Sequence, residues 1–307
     1  SGAALMDVLE GAKQLCPAPE ECTTFAWAGL RFDRPVGWET GQLGRNHGWL
    51  EADFKPVMEF KTAVVRGRFS FRRHLKQLTR GSSLRLEPRD LPPTWQPLLS
   101  AFDTRGFRWQ GPRLGGDGLI LHCPVCRRAT LLQFYRTGAA ASHAVTTVLG
   151  SFNDHGADRR PSVAVYDIQA TVPENLPLAG FRFESGRFEL VYGDRRRQLT
   201  LWRWSPADTA LRHHRDSLRA FARRNGLPAD PGSSGPGQRR DQGLEWRWPV
   251  RRDWRDRLPS PFRRRLAPNV FRIWHCQASN RILAVRGDGP IEYEVFAEVC
   301  RSYATVS

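Results

Sequence analysis

Lysine and long apolar runs are scarce in this sequence. Only Lys13, Lys55, Lys61 and Lys76 are lysines among the 47 Lys and Arg residues, so arginine supplies nearly all of the positive charge. No apolar run approaches the roughly 18 residues that a membrane-spanning helix needs, so no membrane span is predicted. Six cysteines in 307 residues are too few for a disulfide framework, which favours a reducing compartment.

The motifs of several large enzyme classes are also absent from the sequence. It contains no Gly-x-Ser-x-Gly, no His-Glu-x-x-His and no Gly-x-x-x-x-Gly-Lys pattern. These absences favour a binding protein over an enzyme. The segment that opens the sequence carries Asp7 and Glu10 and no basic cluster, so it is not predicted to be a secretory signal, and a cytoplasmic location is expected.

The charge balance is strongly positive. The 47 basic residues exceed the 31 acidic ones by 16, and hydrophobic residues make up 40% of the chain, which is enough for a packed core. An excess of arginine attracts phosphate, anionic lipid or acidic proteins. A GC-rich genome, whose codons favour arginine, would produce the same excess without any ligand. Both explanations stay open.

Two halves of the sequence repeat one pattern of segments, which predicts a tandem duplication. Residues 48–54 correspond to residues 186–192, and residues 58–62 correspond to residues 199–203. All four segments alternate apolar and polar residues with a period of two, the pattern of half-buried antiparallel strands.

The correspondence continues towards the end of each half. Residues 121–128 parallel residues 274–281, and an amphipathic helical pattern closes both halves. A serine precedes the last aromatic residue in each case, at Ser151 and Ser302. The predicted fold class is therefore α+β, with two tandem copies of an antiparallel-sheet module that carries helices.

The repeat also sets the predicted domain boundaries. Residues 1–22 are predicted to be an N-terminal helical segment, residues 23–156 module 1 and residues 161–307 module 2. Within module 2, residues 228–242 are rich in proline, glycine and serine and are predicted to form a flexible loop.

The modules resemble the PsbP/Mog-type family. The opening segment runs from a strand into Pro35-x-x-Trp38, which is similar to the first hairpin of that family, and Ser151-Phe152 is similar to the end of its last helix. Module 2 departs from the pattern, because Leu176 stands where a tryptophan is expected. The resemblance implies an α/β/α sandwich around a mainly antiparallel sheet, and a binding or assembly role in a larger complex.

Cys123-Pro-Val-Cys126 is a metal-type motif. It falls between two strand-like runs, so it is predicted to lie on a tight turn, where two thiolates can share one zinc ion. A closed structural site needs four ligands. The remaining candidate donors are Cys16, Cys22 and His122. In module 2, Ser279 replaces the second cysteine, so the alternative is that these cysteines are ordinary buried thiols.

Residues 239–265 are rich in arginine and tryptophan. Arginine beside aromatic rings is how proteins hold single-stranded nucleic acid, so a polyanion-binding face is predicted here. A plain strand, with Trp246 in the core and Arg247 in solvent, explains part of the same pattern. The candidate polyanion-binding residues are Arg239, Arg240, Arg247, Arg251, Arg252, Arg255, Arg263, Arg264, Arg265 and Trp254.

Two local patterns give further predictions. Arg128 and Arg281 hold equivalent positions after the cysteine turn, where they either bind a carboxylate of their own module or form two related anion sites. The glycine-rich residues 115–118 are predicted to form a hairpin turn.

These observations favour a non-catalytic binding or assembly protein whose partner is another protein. Nucleic-acid binding through module 2 is one alternative, and a zinc-containing protein is the other. The sequence carries no signal for the oligomeric state.

Overall fold

The computed structural model describes residues 22–78, 80, 85–136, 140–154, 162–212, 216–228, 243–248 and 269–306. Nearly all of the predicted N-terminal helical segment 1–22 and of the predicted loop 228–242 lies outside these ranges. Two units are distinguished. Unit 1 extends to Arg160 and includes Ala164–Tyr166, and unit 2 comprises Pro161–Val163 and Asp167–Ser307.

Unit 1 is built on a seven-stranded antiparallel sheet. The strands of this unit are β1 (Cys22–Trp27), β2 (Leu30–Pro35), β3 (Glu39–Leu43), β4 (His47–Ala52), β5 (Lys55–Val64), β6 (Arg85–Arg89), β7 (Asp103–Gln110), β8 (Gly115–His122) and β9 (Arg128–Tyr135). Its helices are α1 (Phe71–Leu78) and α2 (Ala140–Ser151). The order in the large sheet is β3-β4-β5-β9-β8-β7-β6. Strands β1 and β2 form a hairpin that belongs to a different sheet, in which β1 also pairs with β10 (Val163–Val165).

Aromatic residues of the hairpin fill the core of unit 1. Alternate residues of β2 are buried, which directs Leu30 and Phe32 inwards. The Phe32 ring stacks on Phe25 of β1 with centroids 4.8 Å apart, and Phe25 meets Phe60 of β5 edge to face. These contacts place the hairpin on one face of the large sheet, and α2 packs against β2.

Unit 2 contains a six-stranded antiparallel sheet. Strand β10 (Val163–Val165) precedes the strands of this unit in the chain. The strands of unit 2 are β11 (Ile168–Ala170), β12 (Leu178–Glu184), β13 (Arg187–Gly193), β14 (Gln198–Trp204), β15 (Gly243–Trp248), β16 (Asn269–Cys276), β17 (Arg281–Asp288) and β18 (Ala304–Thr305). Its helices are α3 (Ala207–Ala210), α4 (Leu218–Arg224) and α5 (Tyr293–Ser302). The order in the large sheet is β12-β13-β14-β17-β16-β15, and β11 pairs with β18.

The two large sheets share one strand order. Strands β3-β4-β5-β9-β8-β7 of unit 1 match β12-β13-β14-β17-β16-β15 of unit 2 one by one, and β6 extends unit 1 by a further edge strand. Helices α1 and α4 follow equivalent strands, as do α2 and α5. This shared order is what duplication of one module would leave, although the duplication itself stays a prediction.

Each unit also contains the same serine contact. The Ser151 hydroxyl accepts a hydrogen bond from the backbone N–H of Asp33 (2.7 Å) and donates to the carbonyl of Thr147 (2.7 Å). In unit 2, the Ser302 hydroxyl accepts from the N–H of Thr171 (2.9 Å) and donates to the carbonyl of Val299 (3.0 Å). The last turn of α2 and of α5 is thereby tied to the segment that it packs against.

The predicted α/β/α sandwich is wrong. Among the described residues, strands account for 50% and helices for 17%, so this part of the chain is mostly β, with three antiparallel sheets. The longest helix among the described residues, α2, has 12 residues and is therefore about 18 Å long, whereas six strands spaced about 4.8 Å apart span about 24 Å. Helices of this length do not form a continuous layer on such a sheet. Within the described ranges, no helix has the length and apolarity needed to cross a membrane.

The predicted hairpin turn at residues 115–118 is also wrong, because these residues begin strand β8. The turn lies just before them, where the N–H of Gly111 donates to the carbonyl of Leu114 (2.7 Å). A Cβ atom added at Gly116 would lie 1.8 Å from the carbonyl oxygen of Phe134. These glycines therefore allow close strand contact instead of a chain reversal.

Candidate functional site

Arg247 is the one member of the predicted polyanion-binding set that lies in the described residues. Its guanidinium donates two hydrogen bonds to one carboxylate oxygen of Glu245 (3.1 and 3.0 Å) and lies 3.7 Å from the centre of the Tyr293 ring. Trp246 beside it is buried in the core. Outside the described residues lie Arg239, Arg240, Arg251, Arg252, Arg255, Arg263, Arg264, Arg265 and Trp254.

The cysteine motif lies on the tight turn between β8 and β9. The N–H of Cys123 donates to the carbonyl of Arg128 (2.9 Å), and the N–H of Arg127 donates to the carbonyl of Cys123 (3.0 Å). Arg127, which follows Cys126, has a φ of 57°, and this left-handed conformation lets the turn close just before β9. The turn brings Cys126 back towards Cys123, with the N–H of Cys126 3.5 Å from the Cys123 sulfur.

Asp154 completes a group of three potential metal ligands with the two cysteines. The Cys126 thiol donates to Oδ2 of Asp154 at 3.3 Å, and one ligand atom from each of Cys123, Cys126 and Asp154 lies within 4.8 Å of the others. Asp154 is only 3% exposed. Burial, followed by the neighbouring carboxylate, raises the pKa of Cys126 to about 12, so this thiol is protonated at neutral pH in the metal-free protein.

The other donors predicted for this motif are not in that group. His122 lies in strand β8, where its Nδ1 is 3.0 Å from a carboxylate oxygen of Asp103 and its ring stacks on Phe69 at 4.0 Å. Cys22 begins strand β1, opposite Pro35. Cys16 lies outside the described residues. The sequence pattern therefore located the two thiols but missed the carboxylate.

Unit 2 has a matching turn with different chemistry. Cys276, Ser279 and Thr305 hold the positions of Cys123, Cys126 and Asp154. Thr305 donates a hydroxyl hydrogen bond of 2.9 Å to the Ser279 hydroxyl. Asn280 has a φ of 53°, close to the 57° of Arg127. Two hydroxyls thus occupy, on the same backbone geometry, the positions that a thiol and a carboxylate hold in unit 1.

The arginines that follow the two turns have different partners. Arg281 donates to Oδ2 of Asp167 (2.7 Å), and Arg203 pairs with the same carboxylate. Arg128 of unit 1 donates to the backbone carbonyl of Ala28 instead. Both arginines therefore bind groups of their own unit, and Arg281 alone of the two meets a carboxylate.

A cationic cavity of about 260 Å³ lies at one end of the large sheet of unit 1. Strands β5 and β8 begin at this end, and strands β7 and β9 end there. Arg136 is held in place because its backbone N–H donates to the carbonyl of Gly115 (3.1 Å). The side chains that define the cavity are those of Lys55, Pro56, Arg113, Leu114, Tyr135 and Arg136.

The charge of this cavity is positive. Lys55, Arg113 and Arg136 line it without any carboxylate, and in the part of the chain that the structure describes these three side chains form no ion pair. The nearby carboxylate of Glu59 is paired with Lys61 at 3.0 Å. Burial, and then the charge of Glu59, raises the pKa of Tyr135. A concave surface with three unneutralised cations attracts anions.

Phe54 projects into solvent at the same end of the sheet. It is 93% exposed and sits in the two-residue turn between β4 and β5. Asp53 and Phe54 both have left-handed backbone angles, with φ of 50° and 59°. Turns of this kind favour Asn-Gly, and a bulky residue in the left-handed region costs free energy. Neither packing nor turn formation explains a phenylalanine at this position.

No protein-family model matches this chain, and no curated protein matches it. A solved structure from Bacteroides thetaiotaomicron VPI-5482 has 12% sequence identity and a TM-score of 0.29, with 50% of this chain aligned to 54% of that one. This chain therefore spans about half the length of that protein.

A second solved structure, of MucB in complex with MucA(peri), has 11% identity and a TM-score of 0.22, with 91% of this chain aligned to 82% of that one. Both TM-scores are too low to support a statement about fold or function. The candidate sites of this chain therefore rest on its own geometry.

Proposed function

We propose that this chain is a binding protein whose unit 1 captures an acidic segment of a protein partner in the cationic cavity. The observation that carries the proposal is the convergence of Lys55, Arg113 and Arg136 on one concavity whose lining contains no carboxylate. Opposite charges across an interface steer encounter and fix the orientation of the partner.

The size of the cavity favours a compact anionic group. A volume of about 260 Å³ is just below the range of small-ligand pockets, so it accommodates one or two carboxylate side chains. Single-stranded nucleic acid is instead held along an extended basic groove with aromatic rings for several bases. The cavity geometry therefore favours an acidic peptide over an oligonucleotide.

Apolar side chains beside the cations supply contact area. Leu114 lines the cavity and is more than half exposed, and Phe54 precedes Lys55 in the chain. Large apolar anchors next to charged groups are typical of the energetically dominant part of protein interfaces. We infer that the partner segment carries apolar residues between its acidic ones.

The test compares three labelled probes by fluorescence anisotropy on the full chain: an acidic peptide containing leucine, a peptide of the same length with amides in place of the carboxylates, and a single-stranded oligonucleotide. The variant is the triple substitution Lys55→Gln, Arg113→Gln and Arg136→Gln. All three positions are exposed, so folding is expected to be unaffected. Each charged contact contributes about 0.5–1 kcal/mol, so affinity for the acidic peptide should fall by about 10- to 100-fold.

The matched control changes the same charge elsewhere in unit 1, with Arg66→Gln, Arg72→Gln and Lys76→Gln. These exposed side chains do not line the cavity, so their loss should weaken binding by less than about threefold. Equal losses in the two triple variants would overturn the cavity as the binding site. Tighter binding of the oligonucleotide than of the acidic peptide would show that nucleic acid is the ligand instead.

A further inference from the structure

We propose that Cys123, Cys126 and Asp154 of unit 1 bind a zinc ion, with water as the fourth ligand. Nothing in the proposed peptide-binding role requires this site. It lies where β8 ends and β9 begins, whereas the cationic cavity lies where β8 begins and β9 ends. Each of these strands has eight residues and is therefore about 26 Å long, so the two sites are at opposite ends of the sheet.

The geometry is close to what zinc requires. A tetrahedral ion with Zn–S bonds of about 2.3 Å and a Zn–O bond of about 2.0 Å holds its ligand atoms about 3.5–3.8 Å apart. Here the Cys126 sulfur lies 3.3 Å from the Asp154 oxygen, and all three ligand atoms lie within 4.8 Å of one another. Movements of well under 1 Å at each side chain would complete the coordination.

The ligand chemistry selects zinc among the common divalent ions. Two thiolates disfavour magnesium and calcium, which prefer all-oxygen sites, and a thiolate–carboxylate set is within the range that zinc accepts. On binding, each cysteine loses its proton to water as a Zn–S bond forms, and the carboxylate supplies the third ligand atom without losing a proton. No oxidant or reductant takes part.

The turn supports a charged sulfur at Cys123. The N–H of Cys126 points towards the Cys123 sulfur at 3.5 Å, and such hydrogen bonds orient metal ligands and stabilise their negative charge. Asp154 is oriented by its place directly after Asn153, whose backbone exchanges two hydrogen bonds of 2.7 Å with Arg31 of β2. The three ligands are therefore fixed by backbone contacts that do not depend on the ion.

Unit 2 keeps a cysteine at the first position and shows that the scaffold does not need the Cys126 thiol or the Asp154 carboxylate. The equivalent turn closes with Ser279 and Thr305, whose hydroxyls form a 2.9 Å hydrogen bond, and it keeps the same left-handed backbone residue. A buried carboxylate beside a thiol is more costly to bury than two hydroxyls. The fold of the turn therefore does not account for the thiol and the carboxylate that stand together in unit 1, whereas a metal site does.

The experiment uses the full chain, freed of metal by a chelator under reducing conditions and then titrated with zinc in competition with a chromogenic chelator. We expect one zinc ion per chain. The double variant Cys126→Ser with Asp154→Thr copies the unit 2 turn and should retain the fold. It should bind zinc more than about 100-fold more weakly, because it loses two ligands. Cys276→Ser is the matched control in unit 2 and should bind as the wild type does.

Cobalt(II) provides a second readout that a purely structural role of the cysteines would not produce. The wild type and Cys276→Ser should both show thiolate-to-cobalt charge-transfer absorption, and Asp154→Asn should show it with weaker cobalt binding. Equal zinc affinity in the wild type and the double variant would overturn the proposal. So would the absence of a wild-type cobalt signal, or a Cys123–Cys126 disulfide in protein kept under reducing conditions.

Discussion

Tyr192 and Tyr303 are buried phenols of unit 2. Burial raises the pKa of both hydroxyls above the ordinary value of 10.0, because phenolate loses its hydration inside the protein. In the unfolded chain the same hydroxyls titrate near their ordinary value. Above pH 10 the folded chain therefore binds more protons than the unfolded chain, and the free energy of unfolding falls as the pH rises.

This effect gives a measurable alkaline instability. Between about pH 9 and pH 11, each phenol should lower the free energy of unfolding by about 1.4 kcal/mol. In the variant Tyr303→Phe, the decrease in unfolding free energy between these pH values should lack the contribution of that phenol. In the double variant Tyr192→Phe with Tyr303→Phe, it should lack the contributions of both phenols. Urea unfolding at the two pH values measures the difference. An unchanged pH dependence in the double variant would contradict the assignment.

At the scale of a secondary-structure element, the close pairing of strand β8 with β9 requires glycine at position 116. A Cβ atom at Gly116 would lie 1.8 Å from the Phe134 carbonyl oxygen of β9, so strand pairing must open to admit it. Gly116→Ala should therefore lower the free energy of unfolding of the full chain by about 2–3 kcal/mol. Gly37→Ala is the control, because no atom lies within 4 Å of its added Cβ, and it should change stability by less than about 0.5 kcal/mol. Guanidinium unfolding distinguishes the two outcomes, and equal effects would contradict the proposed close contact.

Much of the strand content was predictable because alternation is a local signal. The alternating residues 58–62 lie within β5, and residues 199–203 lie within β14. The two strand-like runs that flank the cysteine motif lie within β8 and β9. The glycines at 115–118 were misread because a glycine signals both a turn and a close strand contact, and sequence alone does not separate the two. The α/β/α sandwich was wrong because it was inferred from short motifs that resemble the PsbP/Mog-type family, and such motifs carry no information on how much of a sheet the helices cover.

The candidate site was predictable only in part. The Cys-x-x-Cys spacing marks two ligands because both lie on one turn. Asp154 is 28 positions after Cys126, and no local pattern identifies it as a ligand. Its position depends on where α2 ends and on the pairing of Asn153 with Arg31. The cationic cavity was missed for the same reason, since Lys55, Arg113 and Arg136 are brought together by strand order alone.

At the scale of the whole molecule, the two units repeat the serine contact. Ser151→Ala would leave the N–H of Asp33 without its hydroxyl acceptor, and Ser302→Ala would do the same to the N–H of Thr171. Each substitution should cost about 1–3 kcal/mol of unfolding free energy, and the two costs should be similar. Chemical unfolding followed by tryptophan fluorescence measures both. Ser100→Ala, at an exposed serine, should cost no more than about 0.5 kcal/mol.

The comparison between the two serines tests the shared architecture. If one of them costs as little as Ser100→Ala, the two contacts are not equivalent despite their geometry, and the argument for a common module would weaken. Matching costs would mean that both units depend on the same connection between the closing helix and the strand or segment beside it.

Phe54 has a consequence for anyone who sets out to engineer a more heat-tolerant version of this chain. Its turn is a natural first target, because replacing Asp53-Phe54 by Asn-Gly would relieve the unfavourable backbone at a position with no packing to lose. The same exchange would delete the aromatic ring beside the proposed docking cavity. Under the proposed role, thermal tolerance and peptide binding place opposite demands on this one residue, and laboratory selection for stability alone should weaken peptide binding first at this turn.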